Sequence, residues 1–335
     1  MNWTTLANKA LEGTPPTEAE SLAVLRAGEE EVLGLVAAAF RVRRAYHGRR
    51  VKLNLLVNAK SGLCPEDCAY CSQSSISTAQ INRYRLLSRE TLLEGAARAV
   101  ELQSHTYCIV MSGRSPSAKE VDEVTATVRE IKQKHSLKIC CCLGLLSAEQ
   151  AALLQEAGVD RVNHNLNAAE SFHEDICSTH TFRDRVATIE NVKKAKLSPC
   201  CGGIFGMGES DSQIIELARS LRELDVDSIP LNFLIPIPGT PLADRPDITP
   251  AKCLAILCLF RFWNPTKEIR IAGGREVHLR SLQPLGLYVA DSIFIGNYLT
   301  TDGQAPEQDL QMIRDLGFEV ARFETPRREH ELASK

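Results

Sequence analysis

Residues 51–71 read VKLNLLVNAKSGLCPEDCAYC, a strand-like run followed directly by a loop that holds three cysteines. The run at residues 51–58 is the first of eight, and the others are residues 106–111, 137–143, 161–165, 198–205, 228–233, 268–272 and 292–296. Amphipathic helix-like patterns follow them, at residues 89–103, 118–134, 148–157, 182–194, 210–224, 250–263, 281–289 and 306–316. Eight strands alternating with eight helices predict an α/β fold, a (β/α)8 barrel of the TIM type.

A doubly wound open sheet is the alternative fold, since alternation alone does not close a sheet. No predicted strand is followed at once by the Gly-x-Gly-x-x-Gly fingerprint of a dinucleotide-binding fold. Residues 17–46 look helical and carry an apolar stripe that includes Leu25, Val32 and Val36. We therefore expect a helical N-terminal extension over residues 1–50, the barrel over residues 51–320, and a disordered tail over residues 321–335.

The composition is that of an ordinary globular protein, apart from its cysteines. The 335 residues are 44% hydrophobic and carry a formal net charge of −3, which gives no overall attraction to nucleic acid or anionic lipid. No apolar run approaches the roughly 20 residues needed to span a bilayer, and the N-terminus lacks the pattern of a secretory signal. We expect a cytoplasmic protein without nucleic-acid or membrane partners. Its 12 cysteines therefore do not indicate a disulfide framework, because disulfides are rare in reducing compartments.

The cysteine loop has the spacing Cys64-x3-Cys68-x2-Cys71. Thiolates so close together favour zinc or an iron–sulfur cluster. Structural zinc needs four ligands in paired units, and no nearby Cys or His pair in the sequence completes such a set. The same spacing could also arise from three unrelated buried cysteines or from a redox loop. We favour a 4Fe–4S cluster on these three cysteines, with one iron open to a small-molecule ligand.

A second group of residues predicts another metal site inside the barrel. Cys108, Cys140 and Cys200 lie on predicted strands, where a packed barrel normally has Val, Ile and Leu. In the seventh strand, Arg270 faces opposite to its two Ile neighbours, so its charge points into the barrel. A lone buried guanidinium is costly unless another group pairs with it. Three thiolates and one arginine that converge inside a barrel indicate a metal centre.

The motif Cys64-x3-Cys68-x-Tyr70-Cys71 resembles the signature of the radical S-adenosylmethionine (SAM) superfamily. In that superfamily the open iron binds SAM, and one added electron cleaves SAM to give a 5′-deoxyadenosyl radical. Residues 202–209, GGIFGMGE, resemble the superfamily's fifth-strand element Gly-x-Ile-x-Gly-x-x-Glu, which approaches the adenine. On its own this glycine-rich stretch is a weak signal.

Within the superfamily, the chain resembles the biotin synthase family from about residue 20 to residue 320. The matching stretches are CPEDC at 64–68, YC at 107–108, KIC at 138–140, NHNLN at 163–167, SPC at 198–200, LNFL at 231–234 and RIAGGRE at 270–276. The resemblance implies that sulfur is inserted into dethiobiotin to form biotin. It also implies two clusters: a radical-generating 4Fe–4S cluster on Cys64, Cys68 and Cys71, and a sulfur-donating 2Fe–2S cluster on Cys108, Cys140, Cys200 and Arg270.

The same resemblance implies binding residues and partners. SAM would be bound by Tyr70, Asn163, Asn167, Gly202, Ile204, Gly206 and Glu209. Dethiobiotin would be bound by Lys60, Asn165, Asn232, Thr300 and Thr301. The asparagines could instead satisfy backbone groups near a strand end, and the threonines could belong to a solvated loop. A homodimer and a low-potential electron donor such as flavodoxin or ferredoxin are also implied.

Several cysteines leave more than one assignment open. Strand alternation puts Cys140 and Cys142 on one face and Cys141 on the other, so Cys142 is the alternative ligand to Cys140. Cys200 and Cys201 likewise face opposite ways. Cys253 and Cys258 are expected to be helix core residues, Cys177 receives no role, and His164 is expected to face the helices.

Three other functions compete with this interpretation. Lipoyl synthase needs a second cysteine cluster upstream of the radical motif, and this chain has no cysteine before Cys64. A maturase-type relative would not require Cys108, Cys140, Cys200 and Arg270 together. A non-catalytic electron-transfer protein is the rival from a different class. Release of 5′-deoxyadenosine under reducing, anaerobic conditions would separate that rival from any radical enzyme.

Overall fold

Parallel β-strands alternate with α-helices along most of the chain. The computed structural model describes residues 1–321, so the predicted tail lies outside the described residues from residue 322 onward. The strands are β1 (Arg50–Lys60), β2 (Thr106–Met111), β3 (Lys138–Cys142), β4 (Arg161–Asn163), β5 (Ser198–Cys200), β6 (Gly203–Phe205), β7 (Ser228–Phe233), β8 (Glu268–Ile271), β9 (Ser292–Phe294) and β10 (Glu319–Val320).

Eight of the ten strands in the described part of the chain form a closed barrel. Their order is β1-β2-β3-β4-β5-β7-β8-β9, and β9 pairs again with β1 in parallel register. The short strand β6 follows β5 in the chain and pairs with β7. Strand β10 pairs with the first two residues of β1, outside the closed ring of eight strands. The prediction of a (β/α)8 barrel is therefore confirmed, and the alternative prediction of an open doubly wound sheet is wrong.

The helices surround this barrel. They are α1 (Trp3–Leu11), α2 (Glu18–Leu25), α3 (Val32–His47), α4 (Arg89–Glu101), α5 (Ala118–Lys134), α6 (Ala148–Glu156), α7 (Glu170–Ile176), α8 (Phe182–Lys194), α9 (Asp211–Glu223), α10 (Pro250–Trp263), α11 (Arg275–Leu279), α12 (Gln283–Val289) and α13 (Pro306–Asp315). Several begin with a capping box, in which a Ser or Thr hydroxyl and a side chain three residues later satisfy each other's backbone N–H groups. These caps are Thr17, Ser117, Ser147, Thr181 and Ser210.

The N-terminal region differs from the single helical stretch predicted over residues 17–46. It forms α2 and α3, separated by residues 26–31, and α1 precedes them. Trp3 and Leu35 are buried in the same apolar cluster as Phe260 of α10. The buried Arg43 donates hydrogen bonds to the carbonyls of Ala290 and Arg50, at the starts of β9 and β1. These helices thus cover the barrel at the amino ends of its strands.

The fifth barrel strand is interrupted, whereas the sequence predicted one strand over residues 198–205. Cys201 and Gly202 separate β5 from β6. A Cβ atom at Gly202 would lie 1.8 Å from the carbonyl oxygen of Pro230, so only glycine fits this close approach of two strands. No helix within residues 1–321 is long and apolar enough to cross a membrane.

Candidate active site

A cavity of about 400 Å³ opens at the carboxyl ends of the barrel strands. This is the end at which barrel enzymes place their active sites. Most of the predicted site residues line it: Cys64, Cys68, Tyr70, Cys71, Cys108, Cys140, Asn163, Asn165, Asn167, Ile204, Asn232, Arg270, Thr300 and Thr301. The other predicted site residues lie beside the cavity rather than on its surface: Lys60, Cys200, Gly202, Gly206 and Glu209.

The loop after β1 brings the first three cysteines to the mouth of this cavity. Gly62 has a φ of 64°, and its N–H group donates to Oε1 of Gln73 at 2.9 Å, which closes the loop across the cysteines. The N–H group of Cys71 donates to the carbonyl of Cys68 at 3.1 Å. Burial raises the pKa of the Cys71 thiol to about 11. The metal-free thiol is therefore protonated at neutral pH, and metal binding must release its proton.

The second group of thiols lies deeper, between the strands. Cys108 on β2 and Cys140 on β3 are register partners, and both are buried. Cys200 on β5 is fully buried, and its Sγ accepts from Nδ2 of Asn163 at 3.3 Å. Cys142 also lines the cavity, two residues nearer the mouth than Cys140. The structure therefore leaves both Cys140 and Cys142 facing the cavity.

The neighbouring cysteines face the other way, as alternation predicted. Cys141 packs among apolar residues between the sheet and its helices, including Ile109 and Val128. Cys201 belongs to the other large apolar cluster, with Ile229. Cys253 and Cys258 are buried in the core on α10.

Arg270 is held inside the barrel by partners that the sequence did not reveal. Its Nη2 lies 2.5 Å from Oε1 of Glu268, and its Nε donates to Ser292 Oγ at 3.2 Å. Its Nη1 faces Cys200 Sγ at 3.9 Å. Although burial disfavours the charge, Glu268 and the nearby thiols raise the pKa of Arg270. The guanidinium is therefore paired and charged in the metal-free protein.

Glu268 is the centre of this buried charge network. Besides Arg270, it accepts from Lys52 Nζ at 2.9 Å and Arg161 Nη1 at 3.2 Å. Burial opposes ionisation, but the three cations together hold the pKa of Glu268 well below its usual range. Alternation could have identified Glu268, because it lies two residues before Arg270 on the same face of β8.

The residues predicted to bind SAM form a connected wall. Asn167 Nδ2 donates to the Tyr70 hydroxyl, and the carbonyl of Asn167 accepts from the N–H group of Ile204 at 2.8 Å. Glu209 instead accepts from the N–H groups of Gly206 and Met207, both at 2.8 Å. Its carboxylate thus stabilises the glycine-rich turn, although it does not reach the cavity.

The residues predicted to bind dethiobiotin are divided between the cavity and its surroundings. Asn165 Oδ1 accepts from Asn163 Nδ2 at 2.9 Å and from Gly202 N at 3.0 Å, so it also supports the strand end. The side-chain amide of Asn232 donates a hydrogen bond to the carbonyl of Gly203 and accepts one from the N–H group of Gly273. Thr300 Oγ1 lies 2.8 Å from the hydroxyl of Ser72 in the cysteine loop.

Two residues lie where the sequence did not predict them. Lys60 pairs with Glu120 of α5 at 2.7 Å, outside the cavity surface. His164 was expected to face the helices, but the structure places it on the cavity surface. That expectation was wrong because β4 ends at Asn163, so strand alternation no longer applies at the next residue.

Comparison with known proteins gives two family models that together cover the barrel. The model of the radical SAM superfamily matches residues 60–221, and that of the biotin and thiamin synthesis associated domain matches residues 230–319. The chain is 58% identical to the biotin synthase of Geobacillus thermodenitrificans, over 95% of this chain and 96% of that protein. It is 55% identical to the biotin synthase of Bacillus subtilis strain 168, over 96% of each.

Solved structures of low sequence identity share the fold. Methylornithine synthase superposes with a TM-score of 0.84 at 20% identity, over 95% of this chain and 97% of that one. An FeFe-hydrogenase maturase from Carboxydothermus hydrogenoformans gives a TM-score of 0.79 at 18% identity, over 95% of this chain and 79% of that one.

Proposed function

The chain belongs to the biotin synthase family of the radical SAM superfamily, and on this basis we propose that it converts dethiobiotin to biotin by inserting sulfur. The observation that carries the proposal is the 58% identity over 95% of the chain. The cavity agrees with it, because cysteine thiols lie both at its mouth and on its floor. The two target carbons of dethiobiotin carry unactivated C–H bonds, which no protein acid or base can ionise at neutral pH.

Cys64, Cys68 and Cys71 are the proposed ligands of a 4Fe–4S cluster. The fit rests on their chemistry and placement, since three soft thiols in one short loop border the same cavity. Cys108, Cys140, Cys200 and Arg270 are the proposed ligands of a 2Fe–2S cluster. Here the supporting observation is a group of buried thiols around a guanidinium that is paired by Glu268.

When bound, the first cluster and SAM supply a 5′-deoxyadenosyl radical, and the second cluster supplies the sulfur. The protein binds and orients the reacting groups and excludes water. We assign Tyr70, Asn163, Asn167, Gly202, Ile204, Gly206 and Glu209 to the SAM site. Glu209 and Gly202 would act by shaping the turn and the strand end, since neither reaches the cavity surface.

Asn165, Asn232, Thr300 and Thr301 are the proposed dethiobiotin contacts. Their amides and hydroxyls offer the donors and acceptors that a cyclic urea needs. Lys60 would have to leave Glu120 to reach the substrate, and its long side chain allows that movement. Arg270 directs Nη1 toward Cys200, while its other nitrogens bond to Ser292, Ser228 and Glu268. Nη1 is therefore the atom proposed to meet the second cluster, and because a charged guanidinium has no free lone pair, it would have to release a proton to the solvent to bind iron.

The test is an anaerobic assay of the reconstituted, full-length protein with dethiobiotin, SAM and a low-potential donor such as flavodoxin or ferredoxin. We expect biotin, with two molecules of 5′-deoxyadenosine for each ring closed. Lipoyl formation on an octanoylated partner, or electron transfer without any 5′-deoxyadenosine, would overturn the proposal. We further propose that the enzyme works in the cytoplasm as a homodimer, which light scattering of the purified protein can test.

A further inference from the structure

A further group of side chains that can bind a metal includes one cysteine of the cysteine loop and two residues next to that loop. Cys68, Cys177 and His180 are all buried, with exposed fractions of 8%, 4% and 6%. One ligand atom from each lies within 4.8 Å of the other two. We propose that, in protein without its iron–sulfur cluster, these three residues bind one Zn²⁺ ion. Competition between zinc and the cluster rests on the proposed function, whereas zinc binding itself does not.

Two of the three distances between ligand atoms are those of a tetrahedral zinc site, and the third, between Cys68 and His180, is within 4.8 Å. With Zn–S bonds of about 2.3 Å and Zn–N bonds of about 2.0 Å, the ligand atoms lie about 3.5–3.8 Å apart. The Sγ atoms of Cys68 and Cys177 are 3.7 Å apart, and Cys177 Sγ lies 3.7 Å from Nε2 of His180 and 3.3 Å from its Nδ1. The two sulfur atoms are already spaced for an ion, and the His180 ring must turn so that Nε2, rather than the nearer Nδ1, faces them.

The polar groups next to the three ligands complete the site. Nδ1 of His180 is hydrogen-bonded to the carboxylate of Glu66, which leaves Nε2 available for the metal. A carboxylate on the far nitrogen of a histidine ligand is the usual arrangement at zinc sites, because it fixes the ring and raises its basicity. A water molecule can supply the fourth ligand, as at other zinc sites with three protein ligands.

The backbone holds this site together before any metal binds. Cys177 directly follows α7, and the N–H group of Ala69 donates to the carbonyl of Ile176 at 2.9 Å. The N–H groups of Ser178 and Thr179 donate to Oδ1 of Asp67 at 3.0 and 3.2 Å. The segment after α7 is therefore fastened to the cysteine loop, so little entropy is lost when an ion binds.

Cys68 is common to the zinc site and the proposed 4Fe–4S site. One sulfur cannot point to both positions, so a bound zinc ion blocks assembly of the 4Fe–4S cluster. Zinc occupancy thus gives a form of the loop that cannot assemble the 4Fe–4S cluster, and Cys177 is the residue that makes this form available.

The first experiment titrates reduced, cluster-free, full-length protein with Co²⁺ under anaerobic conditions, followed by Zn²⁺. We expect one equivalent of Co²⁺ with the absorption bands of a tetrahedral thiolate site, and its displacement by Zn²⁺. Cys177→Ala and His180→Ala should each weaken binding by more than about 100-fold, since removing a ligand costs more than removing its hydrogen-bond partner. Cys253→Ala, a buried cysteine on α10, is the matched control and should bind Co²⁺ like the wild type.

The second experiment follows cluster reconstitution with iron and sulfide, with and without one equivalent of Zn²⁺. Zinc should suppress the 4Fe–4S signal in the wild type and leave it unchanged in Cys177→Ala. Wild-type Co²⁺ affinity in Cys177→Ala, or loss of the site in Cys64→Ala, would overturn the inference. Failure of the proposed function would look different, because the zinc-free wild type would then form no 4Fe–4S cluster, or would form it and make no biotin, while Co²⁺ binding stayed as expected.

Discussion

Cys140 and Cys141 are adjacent in sequence, but their side chains lie in different surroundings. Cys140 faces the cavity beside Cys108, whereas Cys141 packs against the helices. We predict that Cys140→Ala abolishes the 2Fe–2S signal and biotin formation, while SAM cleavage continues. Cys141→Ala is the matched control, and it should cost only about 1–2 kcal/mol of stability, the packing of a small buried group. Mössbauer spectra and 5′-deoxyadenosine release measure the two outcomes.

Cys142 provides the result that would contradict this assignment. It lies on the same face of β3 as Cys140 and also borders the cavity. If Cys140→Ala keeps full turnover and Cys142→Ala loses it, the ligand is Cys142, two residues nearer the mouth.

Glu268 is the common counter-charge of the buried Arg270 and of two partly exposed cations, Arg161 and Lys52. We predict that Glu268→Gln lowers the free energy of unfolding by about 3–5 kcal/mol, because Arg270, Arg161 and Lys52 would lose their common counter-charge. Glu130→Gln, which removes a carboxylate paired with the exposed Lys134 and Arg89, should change stability far less, because exposed ion pairs contribute little. Urea unfolding of both variants measures the difference. Equal stability of the two variants would show that the network contributes nothing to folding.

Residue-level reasoning from the sequence succeeded where strand alternation applies. It placed Arg270, Cys140 and Cys141 on the faces that the structure gives them. It failed for Cys177 and His180, which meet Cys68 only because a short helix, α7, ends beside the cysteine loop. Contacts between segments more than 100 residues apart leave no periodic signal in the sequence.

At the level of elements, the interruption of the fifth strand depends on Gly202. We predict that Gly202→Ala lowers the free energy of unfolding by more than about 3 kcal/mol, because the new Cβ would meet the Pro230 carbonyl at 1.8 Å. Gly28→Ala is the control, since its Cβ would meet nothing within 4 Å and should change stability by less than about 1 kcal/mol. Urea titration of both variants measures this. A tolerated alanine at Gly202 would mean that β5 and β7 can separate freely at this point.

The bounds of the elements were predictable to different degrees. Those of β2 and β7 match the sequence prediction residue for residue, and both strands are largely buried. The division of residues 17–46 into α2 and α3 was missed, since their apolar stripe continues across the break. The break at Gly202 was missed because the strand pattern also continues across it.

For the whole molecule, the order of strands and helices was enough to predict the barrel, but closure was not visible in it. Closure depends on the pairing of β9 with β1, strands about 240 residues apart in sequence. The proposed second cluster would add another long-range connection, because its ligands come from β2, β3, β5 and β8. A group bound to four strands at once stabilises the folded barrel and has no equivalent site in the unfolded chain.

Loading the clusters should therefore raise the thermal stability of the barrel, and the two clusters should contribute unequally. We predict that anaerobic reconstitution raises the midpoint of unfolding by at least about 5 °C. Cys64→Ala should keep most of this gain, because its site is confined to one loop and the ligands on four strands are intact. Cys200→Ala should lose most of it, since one of the strands is then no longer connected. Differential scanning calorimetry of both variants, before and after reconstitution, measures the gains. If Cys64→Ala loses as much as Cys200→Ala, the stabilisation comes from the loop, and the thiols inside the barrel do not hold a cluster that joins its strands.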